Sequence, residues 1–241
     1  LNAISKLDNR DLTSFDTNED FTRKIGMKLD NFKVAIPSYF ISDIVDDEVK
    51  NKVLEIKKLL EDNNVKVDVV DIKNIDRSVA LYQIIAMGEA SSNLARFDGI
   101  RYGYSKENPK DIKDLYYDTR AEGFGEEVKR RIMVGSYLLS GENAKIYYDK
   151  ALSIRDDMRK EFKRVFNDYD LIIAPTTVTT AYDLTDPMDD PRKSFMDDIL
   201  VIPVNMAGLP GLNIPVGFSD THMPIEIEIG RAVQQECRDR Y

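Results

Sequence analysis

The stretch "FKVAIP", residues 32–37, opens the part of the sequence that decides the fold. It is a short β-rich run that ends in a proline, which indicates a buried strand. Residues 46–64 follow with apolar residues on one helical face and with Asp46 or Asp47 in place to cap the helix. "VKVDVVDI", residues 65–72, alternates and is rich in valine, so it reads as a second strand. This strand–helix–strand order predicts an α/β fold in which the two strands are parallel.

Helical patterns fill the middle of the chain, and strand patterns return near its end. We predict helices at 77–95, 114–124, 126–140 and 143–166. We predict strands at 169–177, at two places within 201–218, and at 225–229. The glycine- and proline-rich run "NMAGLPGLNIPVG", residues 205–217, matches no phosphate-binding loop, and we interpret it as a tight packing element of the core. No linker divides the chain, so we predict one domain.

The composition excludes several classes of protein. The net charge is −9, from 34 basic and 43 acidic residues, and a chain this acidic is a poor nucleic-acid binder on its own. One cysteine, Cys237, and one histidine, His222, argue against a zinc site and against a disulfide framework. No apolar run reaches the roughly 18 residues that a membrane helix needs. We therefore expect a cytoplasmic protein with no bound metal and no membrane contact.

Two pairs of charged residues are candidates for binding a small ligand. Arg130 or Arg131 could hold a carboxylate in a bidentate way, and Asp197 or Asp198 could receive an ammonium group. The competing interpretation is a surface helix in which Glu126 pairs with Arg130 and Glu127 with Arg131, at i,i+4 spacing. If the charges form a site, a carboxylate receptor and an ammonium receptor together would suit an amino acid.

Four blocks of sequence, taken in order, resemble the amidase signature family. They are "EASSNLARFDGIRYGY" (89–104), "EGFGEEVKRRI" (122–132), "YDLIIAPTTVTTA" (169–181) and "PVNMAGLPGLNIPVG" (203–217). Within that family, the first two blocks are similar to the A subunits of tRNA-dependent amidotransferases. The resemblance implies a mixed central β-sheet with helices on both faces. It covers residues 1–230, as the C-terminal half of a single amidase domain, and leaves residues 231–241 as an unmatched tail.

The resemblance also implies a function and a set of partners. Such a protein hydrolyses glutamine and passes the ammonia to a B subunit, which uses ATP and Mg²⁺ to convert Glu-tRNA(Gln) to Gln-tRNA(Gln). A small C subunit helps to hold the two together. The tRNA is then contacted through the B subunit, which agrees with the acidic charge of this chain. No cofactor is expected in this chain itself.

The site residues that the resemblance implies belong to substrate recognition. Arg131 would bind the α-carboxylate of glutamine, Asp198 its α-ammonium group, and Tyr82 would contact the bound substrate; Arg130 and Asp197 stay open as alternatives for the paired positions. The family's catalytic lysine and two serines lie around a GGSSGGS motif, which this chain does not contain. We therefore expect the catalytic residues upstream of Leu1, and we interpret the chain as a piece of a longer protein.

Two other functions stay open at this point. The chain could belong to a stand-alone amidase of the same superfamily that acts on a different amide. It could also be a non-catalytic interaction module, since the catalytic motif is missing. We interpret residues 89–104 as a structural segment close to the glutamine pocket, in which Arg96, Asp98 and Arg101 pair internally or face a partner protein.

The missing motif generates a first prediction. The isolated 241-residue polypeptide should release no ammonia from glutamine above a no-enzyme blank, because a nucleophile and its base are both required for amide hydrolysis. A coupled ammonia assay on the pure protein measures this. Ammonia release that rises in proportion to protein concentration would contradict the expectation.

Overall fold

The two strands predicted from the opening stretch pair in parallel, as expected. In the computed structural model, which describes residues 2–16, 19–23, 25–26, 31–182, 185 and 197–231, β1 (Lys33–Pro37) and β2 (Lys66–Val70) are neighbours in one sheet. Helix α1 (Asp47–Asp62) connects them, and Asp46 occupies the N-cap position. A helix is the usual crossover between parallel strands, because the chain must return to the edge of the sheet where the first strand began.

The described sheet has five strands, and it is mixed, as the resemblance implied. The order is β2-β1-β3-β5-β4, with β3 (Leu171–Pro175) parallel to β1. β5 (Pro224–Arg231) is antiparallel to both β3 and β4 (Gly211–Phe218). The two halves of the described chain therefore meet where β1 and β3 pair.

Side chains that alternate along β1 enter two separate cores, one on each face of the sheet. Val34 and Ile36 pack with Val53 of α1, whereas Ala35 faces the other side. The core on that other side is built mainly from α2 (Ser78–Asn93) and α5 (Asp149–Val165), together with residues from β3 and β5. Period-two alternation on a sheet covered on both faces explains why β1 reads as a continuous apolar run. The predicted α/β architecture is confirmed.

The remaining described α-helices are Ile112–Gly123 (α3), Glu126–Leu138 (α4) and Ile202–Ala207 (α6). Short 3₁₀ turns lie at Ser38–Ile41, Ile75–Arg77 and Leu94–Arg96. A π-helical turn lies at Ala144–Tyr148. The single long helix expected at 143–166 is thus a π-turn followed by α5. Phe124 and Gly125 separate α3 from α4, and Gly123 is the last residue of α3.

The strand expected at the beginning of residues 201–218 was wrong, because this segment forms helix α6. The backbone N–H groups of Val201 and Ile202 donate to the carbonyl of Asp198, and Pro203 lies in the first turn. Gly208 ends the helix in the left-handed conformation, with φ of +69°. Proline at the beginning and glycine just beyond the end are helix signals. The sequence pattern did not reveal these signals, because a short apolar segment shows neither helical nor strand periodicity.

The interpretation of residues 205–217 as a core packing element is confirmed only in part, because Ala207 is buried in the core and Ile214 and Val216 pack half-buried against core residues. β4 occupies one end of the described sheet, and it pairs with β5 alone. Other large side chains of β4 are open to solvent: Leu212 is 60% exposed and Phe218 is 66% exposed. Glycine and proline at this end of the sheet therefore suit an edge strand, where a missing N–H costs little.

Helices α2 and α4 approach each other so closely that one position in α4 accepts no side chain. A methyl group on Gly135 would lie 1.9 Å from the carbonyl oxygen of Met87 and 2.8 Å from Cβ of Ser91. The nearest obstacle is backbone, which cannot rotate away as the end of a side chain would. Gly135 thus sets the distance between these two helices.

This contact generates a prediction about stability. Gly135→Ala should lower the free energy of unfolding by about 1–3 kcal/mol, since overpacking forces the two helices apart. Ser136→Ala is the matched control, because Ser136 is the next residue in the same helix and is exposed; it should change stability by less than about 0.5 kcal/mol. Equilibrium denaturant unfolding measures both, and a Gly135→Ala protein as stable as Ser136→Ala would rule out the close approach.

Candidate functional site

Two of the three predicted substrate-binding residues lie together where α2 packs against α4. Tyr82 is in the first half of α2, and Arg131 is in the first half of α4. Tyr82 lies close enough to Arg131 to contribute to raising the pKa of its guanidinium group. Tyr82 is half-buried, and the side chain of Arg131 is 35% exposed. The pair therefore presents a cation and a phenol at the edge of the helix–helix contact, accessible to a small ligand.

A single carboxylate, that of Glu127, holds both arginines of α4. Its Oε1 accepts from Nε of Arg131 at 2.8 Å and from Nη2 of Arg130 at 2.7 Å. Its Oε2 accepts from Nε of Arg130 at 2.8 Å. Arg130 thus forms a two-point pair with Glu127, whereas Arg131 uses Nε alone.

The charges of this trio shift the pKa of each member in the direction that keeps it ionised. Arg130, and then Arg131, lower the pKa of Glu127 from 4.5 to about 2. Glu127 in turn raises the pKa of Arg131, partial burial acts against this shift, and the nearby Tyr82 supports it. The formal charge of the trio is one positive unit, so an anion is attracted to it.

Only one of the two ion pairs expected in a plain surface helix is present. The Glu127–Arg131 pair is confirmed at i,i+4 spacing. The prediction of a Glu126–Arg130 pair was wrong, because Arg130 pairs with Glu127 at i,i+3. From Glu127, the i+3 and i+4 positions are both neighbours on the helix surface, so one acid reaches two bases. The i,i+4 spacing alone gave no sign that Arg130 and Arg131 share Glu127.

The third predicted residue, Asp198, lies just before α6. Its backbone carbonyl accepts the first hydrogen bonds of that helix, and its side chain is exposed. Asp197 is half-buried, and its carboxylate accepts from the hydroxyl of Tyr182 at 3.4 Å. Within the described residues, no hydrogen bond or ion pair connects either aspartate to Tyr82 or Arg131. Helix α6 packs against α2, however, so Asp198 precedes a helix that contacts the one carrying Tyr82.

The block 89–104 forms a scaffold that connects α2 to α3. Asp98 is 3% exposed; it accepts from the backbone N–H of Ile100 at 2.9 Å and from Nη2 of Arg101 at 3.0 Å. Arg120 of α3 donates to the carbonyls of Leu94 and Phe97. The predicted internal pairing of Asp98 with Arg101 is therefore confirmed. Arg96 likewise stays within the block, because it donates to Asn93.

The threonine-rich loop after β3 satisfies its hydroxyl groups locally. The hydroxyl of Thr177 donates to the carbonyl of Thr179 at 2.6 Å, and that of Thr176 lies 3.4 Å from Oδ1 of Asn213. Nearby on β5, Glu228 has a buried carboxylate oxygen with no hydrogen-bond partner among the described residues, and burial raises its pKa. The hydroxyls of Thr176 and Thr177 therefore have structural partners.

The described residues contain neither a metal-binding cluster nor a membrane-spanning helix. No group of three or more His, Cys, Asp and Glu side chains is arranged to hold a metal ion in the described part of the chain. None of the described helices combines the length and apolarity that crossing a bilayer requires. Cys237 and the tail predicted at 231–241, apart from Arg231 at the end of β5, lie outside the described residues.

Comparison with known proteins identifies what the chain is similar to. The model of the amidase family matches residues 1–237. The A subunit of glutamyl-tRNA(Gln) amidotransferase from Pediococcus pentosaceus is 44% identical over 230 residues, and its counterpart from Streptococcus agalactiae is 46% identical over 230 residues. Each match covers 95% of this chain but 47% of the relative. The chain thus spans about half the length of the curated relatives it matches.

Solved structures give the same result for the fold. The crystal structure of the glutamyl-tRNA(Gln) amidotransferase A subunit from Thermotoga maritima is 32% identical in sequence and aligns with a TM-score of 0.68, covering 94% of this chain and 44% of that one. A bacterial aryl acylamidase of the amidase signature family aligns with a TM-score of 0.66 and covers 94% of this chain and 45% of that one. It is 17% identical, so it supports the fold alone.

The shared carboxylate generates a prediction about pH. The side chain of Glu127 should titrate near pH 2 in the folded protein, and Arg130→Gln should raise that pKa toward 4.5, since Arg130 is its largest stabilising partner. Because the folded pKa is depressed, the contribution of this group to stability is present above about pH 4.5 and is lost as the pH falls toward 2.

Carbon-detected NMR of the glutamate side chains measures this titration. Lys129→Gln is the matched control, because it removes one positive charge from the same helix without touching Glu127. A Glu127 pKa near 4.5 in the unaltered protein would contradict the described trio.

Proposed function

Since this chain belongs to the amidase family, we propose that it forms part of the glutaminase component of a tRNA-dependent amidotransferase. In this proposal the full-length A subunit hydrolyses glutamine to glutamate and ammonia. A B subunit, with ATP and Mg²⁺, then uses the ammonia to convert Glu-tRNA(Gln) to Gln-tRNA(Gln), and a C subunit stabilises the assembly. The 44–46% identity to amidotransferase A subunits supports this choice within the family.

The observation that carries the proposal is the placement of Arg131, held by Glu127, near Tyr82 at the α2–α4 packing. Glutamine is a zwitterion with a flexible side chain, so a protein must hold its α-carboxylate and its α-ammonium group to align the side-chain amide. A guanidinium group binds a carboxylate through two parallel N–H donors. Arg131, partly buried against Tyr82 and fixed by Glu127, is a pre-oriented cation of this kind.

Arg131 is a better carboxylate receptor than Arg130 for a geometric reason. Arg130 has its Nε–Nη2 edge occupied by both oxygens of Glu127, and 48% of its side chain is exposed. Arg131 gives only Nε to Glu127 and is turned toward α2. We therefore assign the α-carboxylate to Arg131 and leave Arg130 a supporting role.

We assign the α-ammonium group to Asp198 in the same proposal. The carboxylate of Asp198 is exposed at the beginning of α6, and α6 packs against the helix that carries Tyr82. Asp197 is the less suitable receptor, because its carboxylate already accepts from Tyr182. An Asp198 carboxylate contributes both charge and hydrogen-bond acceptors, which an ammonium group needs.

Amide hydrolysis itself requires groups outside this recognition site. A serine hydroxyl attacks the amide carbon, the C–N bond breaks, and the leaving nitrogen takes up a proton to depart as ammonia; water then releases glutamate from the acyl-serine. Backbone N–H groups stabilise the oxyanion during attack. We assign these steps to the lysine and serines of the family motif, which is not in this sequence. This chain would supply orientation, which contributes through proximity to the nucleophile.

Two alternatives remain distinguishable by experiment. A stand-alone amidase would not co-purify with a B subunit, whereas the A subunit of an amidotransferase would. A non-catalytic interaction module would lack the GGSSGGS motif in the complete coding sequence. The net charge of −9 favours a protein that leaves tRNA binding to a partner. The cytoplasmic location and the classification as a ligase belong to this proposal as well.

The proposal predicts how the two arginines differ. In the full-length protein within its complex, Arg131→Ala should raise the KM for glutamine roughly 10- to 100-fold, because a hydrogen-bonded charge is lost from the site. Arg130→Ala, on the neighbouring residue, should raise KM clearly less than Arg131→Ala does, since Arg130 acts only by neutralising Glu127. Steady-state glutaminase assays measure both, and an unchanged KM for Arg131→Ala would reject the assignment.

A further inference from the structure

We propose that Glu127 is a positioning residue for glutamine binding, which fixes the orientation of Arg131 and decides which of its edges meets the substrate. This inference rests on the proposed function, because it concerns the same site. Its basis is that one carboxylate accepts hydrogen bonds from two adjacent arginines, at 2.7 Å from Arg130 and 2.8 Å from Arg131. Glu127 itself does not contact the substrate.

The atoms used by Glu127 determine what is left of the Arg131 guanidinium. A guanidinium group offers two edges that match a carboxylate, the Nε–Nη2 edge and the Nη1–Nη2 edge. Glu127 occupies Nε of Arg131, so the first edge is no longer available to a second carboxylate. An incoming α-carboxylate must therefore bind end-on, through Nη1 and Nη2.

Arg131 is held by a hydrogen bond within its own helix. Glu127 accepts from its Nε at 2.8 Å from the preceding turn of α4, and Tyr82 of α2 lies nearby. A free arginine side chain populates many rotamers, and restricting them before the ligand arrives removes an entropic cost from binding. Losing Glu127 removes this hydrogen bond and leaves a mobile head group.

Arg130 completes the arrangement through charge. An unpaired Glu127 beside the site would repel the substrate carboxylate and cancel the charge of Arg131. The two-point pair with Arg130 neutralises Glu127, so the trio keeps one net positive charge. This gives a physical reason for two adjacent arginines in "EEVKRRI", of which one binds and one compensates.

The test uses the full-length protein in its complex and the kinetics of glutamine hydrolysis. Glu127→Ala should raise the KM for glutamine by about 3- to 30-fold with a smaller change in kcat, since a displaced binding group weakens ground-state and transition-state binding alike. Glu127→Gln keeps an acceptor at Oε1 and should fall between Glu127→Ala and the unaltered protein. Glu126→Ala is the matched control, because it also removes one acid from the first turn of α4. Glu126 has no ion-pair partner among the described residues, so this variant should leave KM unchanged.

A double-substitution cycle separates positioning from a merely structural role. If Glu127 acts through Arg131, then Glu127→Ala added to Arg131→Ala should cause no further loss in kcat/KM. A further loss equal to that of Glu127→Ala alone would overturn the inference. So would an unchanged KM in Glu127→Ala, and should that variant fail to fold, an unchanged KM in Glu127→Gln would count equally.

The same data distinguish the inference from the function on which it rests. If Arg131→Ala raises KM while the Glu127 variants do not, the positioning role is rejected and the proposed function stands. If Arg131→Ala also leaves KM unchanged, the substrate-binding assignment itself is rejected.

Discussion

The contact between α2 and α4 at Gly135 is the constraint on which the candidate site depends. Because a methyl group at this position would lie 1.9 Å from the carbonyl of Met87, the two backbones are as close as glycine allows. Arg131 is one helical turn before Gly135 in the same helix, so this close approach brings it near Tyr82 on α2. Helix α2 packs against the sheet through the core that contains Leu81 and Ile85. The packing at Gly135 thus sets how far Arg131 of α4 lies from Tyr82 of α2.

Much of the fold could be predicted from local patterns, since most of its elements carry a clear period or stop signal. β1, α1 and β2 follow from alternation and a helical apolar face, and the structure confirms each of them. The segment that became α6 could not be predicted in this way, because its apolar run has no distinguishing period. Its helical form depends on Pro203 and Gly208, and on hydrogen bonds to the carbonyl of Asp198.

The candidate site was less accessible to sequence reasoning, for a different reason. Composition and spacing could indicate a cation in "EEVKRRI", but they could not separate Arg130 from Arg131. What separates them is the proximity of Arg131 to Tyr82, which lies in another helix, and the sharing of Glu127 between two neighbours at i+3 and i+4. Long-range packing and competition between equally spaced partners are both properties of the folded chain.

The chain and its relatives together indicate a division of labour within one domain. About half the length of the amidotransferase A subunits is spanned here, and it contains the arginine to which we assign the α-carboxylate but no GGSSGGS motif. Recognition of the amino-acid end of glutamine and attack on its amide would then come from different halves of the polypeptide. Binding energy from the distant end of the substrate would be used to orient the reacting end.

The most direct test of this account is a structure of the full-length protein with glutamine bound. The account predicts the α-carboxylate end-on against Nη1 and Nη2 of Arg131, at about 2.7–3.2 Å, with Glu127 still on Nε. A carboxylate bound by Arg130, or one that makes no contact with Arg131, would contradict it.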